Sequence, residues 1–146
     1  FLSELLSYAT RHEQANGALY LFIQDSIEWL DHAKGAIANF HIVFMIQLSF
    51  HLGFMPNIES GMSGDYFDLV DGCFAAHVPS HVHYLNKEDS MRLVSLFRLD
   101  YKTMHLYTMS RIERNRCVEV ILEYYKLHLP DFPEMKSFSV LQELFA

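Results

Sequence analysis

Cysteine and long apolar runs are scarce in this chain, and each of these two shortages excludes a class of protein. The 146 residues include two cysteines, Cys73 and Cys117, and four prolines. Two thiols cannot build the disulfide framework of a small secreted protein, so we expect both to be reduced in a cytosolic protein. The longest apolar run, residues 37–52, is too short and too polar to span a bilayer, which takes about 20 mostly apolar residues. We therefore expect a soluble protein with no membrane partner.

Positive charge is also in short supply, and it is unevenly distributed. The net charge is −7 at pH 7, which argues against a broad nucleic-acid-binding surface. Residues 1–86 carry nine carboxylates and two basic side chains, whereas residues 87–126 carry eight basic side chains and six carboxylates. We expect an anionic partner to bind the second half of the chain.

The chain begins at Phe1, inside a helical pattern, and not at a methionine. No charged and apolar leader with a small-residue cleavage site marks it for export. Its length suits one core of ordinary size. We expect it to be a domain of a longer polypeptide.

Hydrophobic periodicity predicts helices along most of the chain. The first apolar pattern is expected to end at Asn16-Gly17, and residues 19–30 repeat apolar side chains at helical spacing. Residues 37–52 are apolar almost all round and predict the central helix, with Gly53 as its carboxyl-terminal cap. His41 within it is expected to be a core residue.

Capping residues mark the helices of the second half. Asn86 or a neighbour is expected to start one helix, and the segment 100–107 is ambiguous. Ser110 and Glu113 form a capping box that opens a helix running to about His128. A short terminal helix follows Pro133.

One segment, from Asp65 to Leu85, does not read as helix. An apolar run from Tyr66 to Val70 is followed by an Asp-Gly turn and a second short run, which is typical of a β-hairpin. A lone hairpin is marginally stable in water, so it must be anchored. The predicted fold class is mainly α, a helical bundle with a small β-hairpin insert at about residues 57–85.

No catalytic or cofactor-binding signature is present. The chain has no paired carboxylates, no Gly-rich phosphate loop and no nucleophile elbow. We expect no enzymatic activity, no catalytic residues and no cofactor.

One group of possible zinc ligands stands in the insert: Cys73, His77, His81 and His83. Four such residues within eleven positions is a high density. However, Pro79 prevents the regular helix that would align them, and structural zinc sites usually draw ligand pairs from two separated knuckles. We favour a polar loop without metal. A zinc-dependent binding or hydrolytic module remains an alternative function.

Three arginines, Arg111, Arg114 and Arg116, lie in the first turns of the capped helix. The positive end of a helix dipole disfavours cations there by a few tenths of a kcal/mol each. They are interpreted as a solvated face paired with neighbouring glutamates or, alternatively, as an anion-binding patch.

Several segments together resemble the carboxy-terminal helical domain of RecO, a bacterial recombination mediator family. The central helix and its exit carry Asn39–Phe44 and Leu52–Asn57. The hairpin carries Tyr66–Asp68 and Asp71-Gly72. The last long helix and the chain's ending carry Ser110–Asn115, Tyr124–Pro130, Lys136-Ser137 and Val140-Leu141. The resemblance covers nearly the whole of residues 1–146 and is greatest to Bacteroides-type members.

The resemblance implies a domain that follows an amino-terminal OB-fold and contains a degenerate zinc finger. Many members hold zinc with two Cys-x-x-Cys pairs. Here Asn57–Ser60 stands near the first pair, and none follows Gly72. A finger without these cysteines is expected to keep its shape by packing, with Tyr66, Phe67 and Phe74 as anchors.

The resemblance also implies a role in DNA repair and recombination, in the bacterial cytoplasm and at the nucleoid. Members bind RecR and the acidic tail of single-stranded-DNA-binding protein, load the RecA recombinase, anneal strands, and bind DNA mainly through the OB-fold. An acidic tail ending in phenylalanine needs an apolar pocket rimmed by cations. The candidates on charge are Arg98, Lys102, Arg111, Arg114 and Arg116. A helical interaction domain without a nucleic-acid role is the other alternative.

Overall fold

The computed structural model describes residues 1–11, 13, 16–59 and 66–144. Within these ranges the chain forms six α-helices, one 3-10 helix and a small three-stranded sheet. The predicted class, mainly α with a small β insert, is confirmed. In chain order the elements are α1 (Leu2–Ala9), α2 (Gly17–His32), α3 (Phe40–His51), β1 (Tyr66–Asp68), β2 (Cys73–Ala75), β3 (Tyr84–Leu85), α4 (Lys87–Phe97), the 3-10 helix (Met104–Leu106), α5 (Arg111–His128) and α6 (Phe138–Leu144).

Helix α3 is the central element, as its all-round apolar sequence predicts. Nine of its twelve residues are buried. Phe40 stacks on Trp29 of α2 and on Tyr101, with ring centroids 5.7 and 4.9 Å apart. Gly53 follows the helix at φ +86°, a backbone conformation that glycine adopts without strain. These contacts fix α3 between α2 and α5.

The segment Asn16-Gly17 starts α2, whereas the sequence pattern placed it at the end of α1. Helix α1 already ends at Ala9, and the Thr10 hydroxyl donates to the Leu6 carbonyl. The Asn16 side chain accepts the N–H of Leu19 at 3.2 Å. Asparagine is a good residue at both kinds of helix boundary, so the residue type alone does not distinguish them.

The insert contains the predicted hairpin and one further strand. Strands β1 and β2 are antiparallel, with Phe67 opposite Phe74, and Gly72 in the turn has φ +67°. Strand β3 pairs with the other edge of β1, so the order is β2-β1-β3. At two residues, β3 is too short to show periodicity. Residues 60–65, including Ser60 and Asp65, belong to the predicted insert but lie outside the described part of the chain.

Aromatic packing holds the insert on the helices. Phe67 is fully buried and meets Phe74 edge to face at 5.2 Å. Tyr66 is half-buried against Tyr84. Phe67 belongs to a small second core with Leu69, Leu85, Leu93, Val120 and Tyr124. The space left beside this core has room for about one water molecule.

The helices of the second half begin where the capping residues predict. The Asn86 side chain accepts the N–H of Asp89 at 2.8 Å and caps α4. Helix α5 crosses α3, and the hydroxyl of the fully buried Tyr125 donates to the Met45 carbonyl. The ambiguous segment 100–107 is a turn followed by the 3-10 helix.

The last helical segment closes onto the first helix. The Glu4 carboxylate accepts the N–H of Lys136 at 2.7 Å and the N–H of Ser137 at 2.8 Å. Helix α6 follows directly, with Leu141 buried. Among the described residues, no helix is both long enough and apolar enough to cross a bilayer.

Candidate functional site

The start of α5 is built around the predicted capping box. The Ser110 hydroxyl accepts the N–H of Glu113 at 3.1 Å, and the Glu113 carboxylate accepts the N–H of Ser110 at 2.7 Å. The hydrogen bond from the Ser110 N–H, and after it the interaction with the Ser110 side chain, lower the pKa of Glu113. Burial acts in the opposite direction, but its effect is smaller. Glu113 is therefore an anion set among the arginines of the same helix.

Arg114 is tied into the fold. Its Nε donates to the Asn39 side chain at 3.2 Å and its Nη2 to the Met109 carbonyl at 3.3 Å. Asn39 is itself buried and donates to the carbonyls of Met104 and Tyr107. Arg114 thus joins α5 to the start of α3 and to the 3-10 helix.

Arg116 faces α4 and is paired with carboxylates. Its guanidinium lies 3.5 Å from Asp89 and 3.8 Å from Glu119. The neighbouring Arg92 of α4, which the charge pattern did not single out, lies 3.3 Å from Asp89 and 3.5 Å from Glu113. This side of α5 is an ion-pair network, which agrees with the interpretation of a face paired with neighbouring acids.

Arg111 lies on an exposed part of the surface between α5 and α6. Its Nε donates to the Gln142 carbonyl at 2.9 Å. Its two Nη groups make no hydrogen bond to the described residues, so they remain available to an anion. Arg111 borders an open depression of about 720 Å³ that also involves Ser110, Ile112, Asn115, Ser139, Gln142 and Glu143.

Sequence reasoning missed the apolar member of this depression. Ile112 is 82 % exposed, although it is a large aliphatic side chain on a core helix. The exposure of Ile112 could have been predicted from the sequence, because this residue is the second of α5 and does not fall on the apolar seam of that helix. The polar residues from α6 could be found only from the tertiary contact between the two helices.

Arg98 and Lys102 lie at the same end of the bundle as Arg111. The Asp89–Arg116 and Arg92–Glu113 pairs show that α4 and α5 run antiparallel, so the end of α4 lies near the start of α5. Both side chains are exposed. Of the five predicted basic residues, the structure places Arg98, Lys102 and Arg111 in exposed positions at this end, and it engages Arg114 and Arg116 internally.

The Cys/His group of the insert is spread over different partners. His81 Nε2 lies 3.1 Å from the Asp68 carboxylate, and its Nδ1 accepts the N–H of His83 at 3.0 Å. His83 Nδ1 lies 2.8 Å from the Glu123 carboxylate on α5. Cys73 is a free thiol on β2.

Asp68 is the centre of this hydrogen-bond network. It is buried and also accepts the N–H groups of Val70 and Asp71 at 2.9 and 3.1 Å. Burial acts to raise its pKa, but the donors from Asp71, His81 and Val70 together lower the pKa of the carboxyl. In the described ranges, no three His, Cys, Asp or Glu side chains converge in a metal-binding arrangement.

Comparison with protein families identifies what this architecture resembles. The family model described as "Recombination protein O C terminal" matches residues 1–137. No solved structure gives a significant match.

Curated relatives match the chain over its whole length. The DNA repair protein RecO of Phocaeicola vulgatus is 47 % identical over 146 residues, covering 100 % of this chain and 61 % of that protein. RecO of Bacteroides fragilis is 48 % identical over 146 residues, covering 99 % and 60 %. RecO of Flavobacterium psychrophilum is 30 % identical over 147 residues, covering 100 % and 60 %. The chain therefore spans about three-fifths of the length of these relatives.

Proposed function

Because this chain belongs to the RecO family, to whose C-terminal region it corresponds, we propose that it is the protein-binding helical domain of a DNA repair and recombination mediator. The family match over residues 1–137 is the observation that carries this function. The domain acts by binding partners and not by catalysis. It supports RecA loading and strand annealing at the nucleoid of the bacterial cytoplasm, together with RecR.

The acidic tail of single-stranded-DNA-binding protein is the partner for which the surface offers a site. A tail of aspartates ending in phenylalanine requires cations beside an exposed apolar surface. The depression between α5 and α6 provides Arg111 and Ile112 side by side. Arg98 and Lys102, exposed at the same end of the bundle, supply further positive charge for the aspartates.

Arg114 and Arg116 contribute to this site through position and not through direct contact. Both guanidinium groups are already engaged, Arg114 with Asn39 and Arg116 with Asp89. Removing Arg114 would leave the buried side-chain Oδ1 of Asn39 without its donor, and the start of α5 would be less firmly held. Variants at Arg98, Lys102 and Arg111 therefore test the site more cleanly.

A labelled acidic peptide ending in Asp-Asp-Phe tests this function by fluorescence anisotropy. Reversing the charge at Arg111 with R111E, or removing the apolar contact with I112S, is expected to weaken binding about tenfold or more, since each removes a direct contact. The matched control is K126E, about 22 Å along the same helix, which should change affinity less than about twofold.

Unchanged affinity in R111E and I112S would refute the tail-binding site. Thermal unfolding of each variant checks that the loss of binding is not a loss of fold. If K126E lowers the affinity as much as R111E does, the peptide is bound only through the overall charge of the domain.

A further inference from the structure

The outer face of α2 combines exposed apolar side chains with carboxylates. Tyr20 and Leu21 are each 58 % exposed and Ile27 is 47 % exposed. A helix on the surface of a globular domain normally presents polar residues to solvent. Three large apolar side chains exposed on one helix indicate a contact surface.

These side chains line up along the helix. Tyr20 and Ile27 are seven residues apart and therefore lie two turns apart on one row. Gln24 and Asp31 lie beside that row, and Leu21 and Glu28 form a further row about 100° around the helix. The inward face of the same helix carries the buried Leu19 and Ser26. The exposed apolar rows are thus separate from the seam that α2 packs against α3.

The charge of this face is uniformly negative. No lysine or arginine occurs between Arg11 and Lys34, while α2 itself carries Asp25, Glu28 and Asp31. In the described part of the chain, none of these three carboxylates forms an ion pair. The Glu28 carboxylate is within 3.5 Å of the Gln24 amide, a neutral donor.

The carboxylates also stand at the less favourable end of the helix. Helix α2 has no acidic residue in its first turn, where the helix dipole would stabilise one, and Glu28 and Asp31 lie in its last two turns. A cationic partner would relieve this local repulsion.

We propose that the α2 face, formed by Tyr20, Leu21, Asp25, Ile27, Glu28 and Asp31, docks a basic amphipathic helix of a partner protein. Apolar side chains of that helix cover the Tyr20–Ile27 and Leu21 rows, and its lysines or arginines meet the three carboxylates. Helix α2 is about 24 Å long, so the interface is small and the complex forms and dissociates quickly.

This surface is different from the tail-binding site proposed above. The depression beside Arg111 favours an acidic peptide, whereas the α2 face repels one. The two surfaces can therefore be tested independently, and loss of either leaves the other in place.

Titration of the ¹⁵N-labelled 146-residue chain with a designed basic helix tests the proposal. The probe is a peptide of about 18 residues with leucines at positions i, i+3, i+4 and i+7 and lysines on both flanks. We expect its amide shift changes to concentrate on α2. The same peptide with glutamate at every lysine position should produce none.

Two double variants define the contributions of charge and apolar contact. D25K/E28K and L21Q/I27Q are each expected to weaken binding of the basic peptide about tenfold or more. Control substitutions at two other highly exposed apolar residues, V82Q and M91Q, should change affinity less than about twofold. If D25K/E28K does not fold, the single variant D31K takes its place as the test of charge and is likewise expected to weaken binding of the basic peptide.

Three results would overturn the proposal. Shift changes located on α4 or α5 would place the basic helix elsewhere. Equal affinity in the α2 variants and the controls would show unspecific charge attraction. Concentration-dependent self-association abolished by L21Q/I27Q would show that a second copy of the chain, and not a basic helix, covers this face.

Discussion

His41 illustrates how one residue's environment sets a property of the domain. Its ring is 4 % exposed, lies 6.2 Å from the Phe1 ring, and shares its surroundings with Arg114. Burial, and after it the positive charge of Arg114, lowers the pKa of His41 from 6.5 to about 4. Both causes disfavour the charged imidazolium.

The stability of the domain should consequently fall when the pH is lowered from about 6.5 to about 4. Over this range the unfolded chain protonates His41 and the folded chain does not, so the free energy of unfolding drops by up to about 1.4 kcal/mol per pH unit. Urea unfolding at pH 7 and pH 5 measures the difference. H41Q should reduce that difference by about 2 kcal/mol, since it removes this one titration.

The control for His41 is an exposed position that does not titrate, Leu106, where L106Q should leave the pH dependence close to that of the unchanged chain. An H41Q protein with the original pH dependence would show that other groups cause it.

For single residues, the sequence predicts roles that depend on the local backbone conformation. It does not predict roles that depend on contacts with residues far away in the chain. Gly72 is predictable because the Asp-Gly turn requires a positive φ, and the Cβ of any other residue would also lie 3.0 Å from the Tyr124 hydroxyl. The Arg114–Asn39 bond joins positions 75 residues apart. No local pattern relates those two residues, so Arg114 could be predicted only as a cation on a helix.

At the scale of elements, the insert is a small sheet held to the helices by aromatic packing and side-chain hydrogen bonds. Phe67 anchors β1 in the second core, Asp68 joins the turn to His81, and His83 reaches Glu123 on α5. His128 on α5 adds a hydrogen bond to the Leu69 carbonyl at 2.8 Å. Since the imidazoles of His81 and His83 already have protein partners, we expect the insert to stay folded without metal.

Chelation tests this expectation. Thermal unfolding with and without EDTA should give the same Tm, and purified protein should contain no stoichiometric zinc by mass spectrometry. D68N, which keeps the shape of the side chain and removes its charge, should lower stability by about 1–3 kcal/mol, because the N–H groups of Val70 and Asp71 lose a charged acceptor and His81 Nε2 meets an amide group in place of a carboxylate oxygen. A Tm that falls in EDTA, with zinc present at one per chain, would contradict it.

Most elements could be predicted from local signals. The centre of α3 follows from a continuous apolar run, and α4 and α5 follow from the caps at Asn86 and Ser110. Strand β3 could not be predicted, because two residues have no periodicity and their strand state depends on pairing with β1. The start of α2 at Asn16-Gly17 was misplaced for a similar reason, since the choice between ending one helix and starting another depends on neighbouring turns.

For the whole molecule, the charge distribution limits what the domain does alone. Its net charge is −7, and eight of its eleven basic residues lie between residues 87 and 126. Nucleic-acid affinity depends on neutralising phosphates with lysine and arginine. We therefore expect this 146-residue chain to bind single-stranded DNA weakly.

Fluorescence anisotropy with a labelled oligothymidine at 50 and 200 mM salt measures this affinity. Weak binding with little salt dependence is expected. The variant R98E/K102E should lower even this residual binding, and E28Q, a charge removal on the α2 face, should not. Tight binding that falls steeply with salt would contradict the expectation.

The sequence was enough to identify the family, but it was not enough to identify which residues form the site. The ordered set of segments identifies the family, because many weak matches in the right order are specific together. The residues of the proposed tail-binding site depend instead on which side chains converge, and the charge pattern placed Arg114 and Arg116 in the same group as Arg111. Their separate partners, Asn39 and Asp89, appear only when α3, α4 and α5 are packed together.

The hydrogen bonds from Lys136 and Ser137 to Glu4 have a consequence for the order of events during synthesis. The ribosome makes Glu4 more than 130 residues before its two donors. Until residues 136 and 137 are made, α1 has its core contacts through Leu5 and Ala9 but lacks these two hydrogen bonds, so its final docking comes late in folding. A polypeptide that stops short of residue 136 lacks both donors to Glu4, so α1 is held less firmly and is more open to proteases.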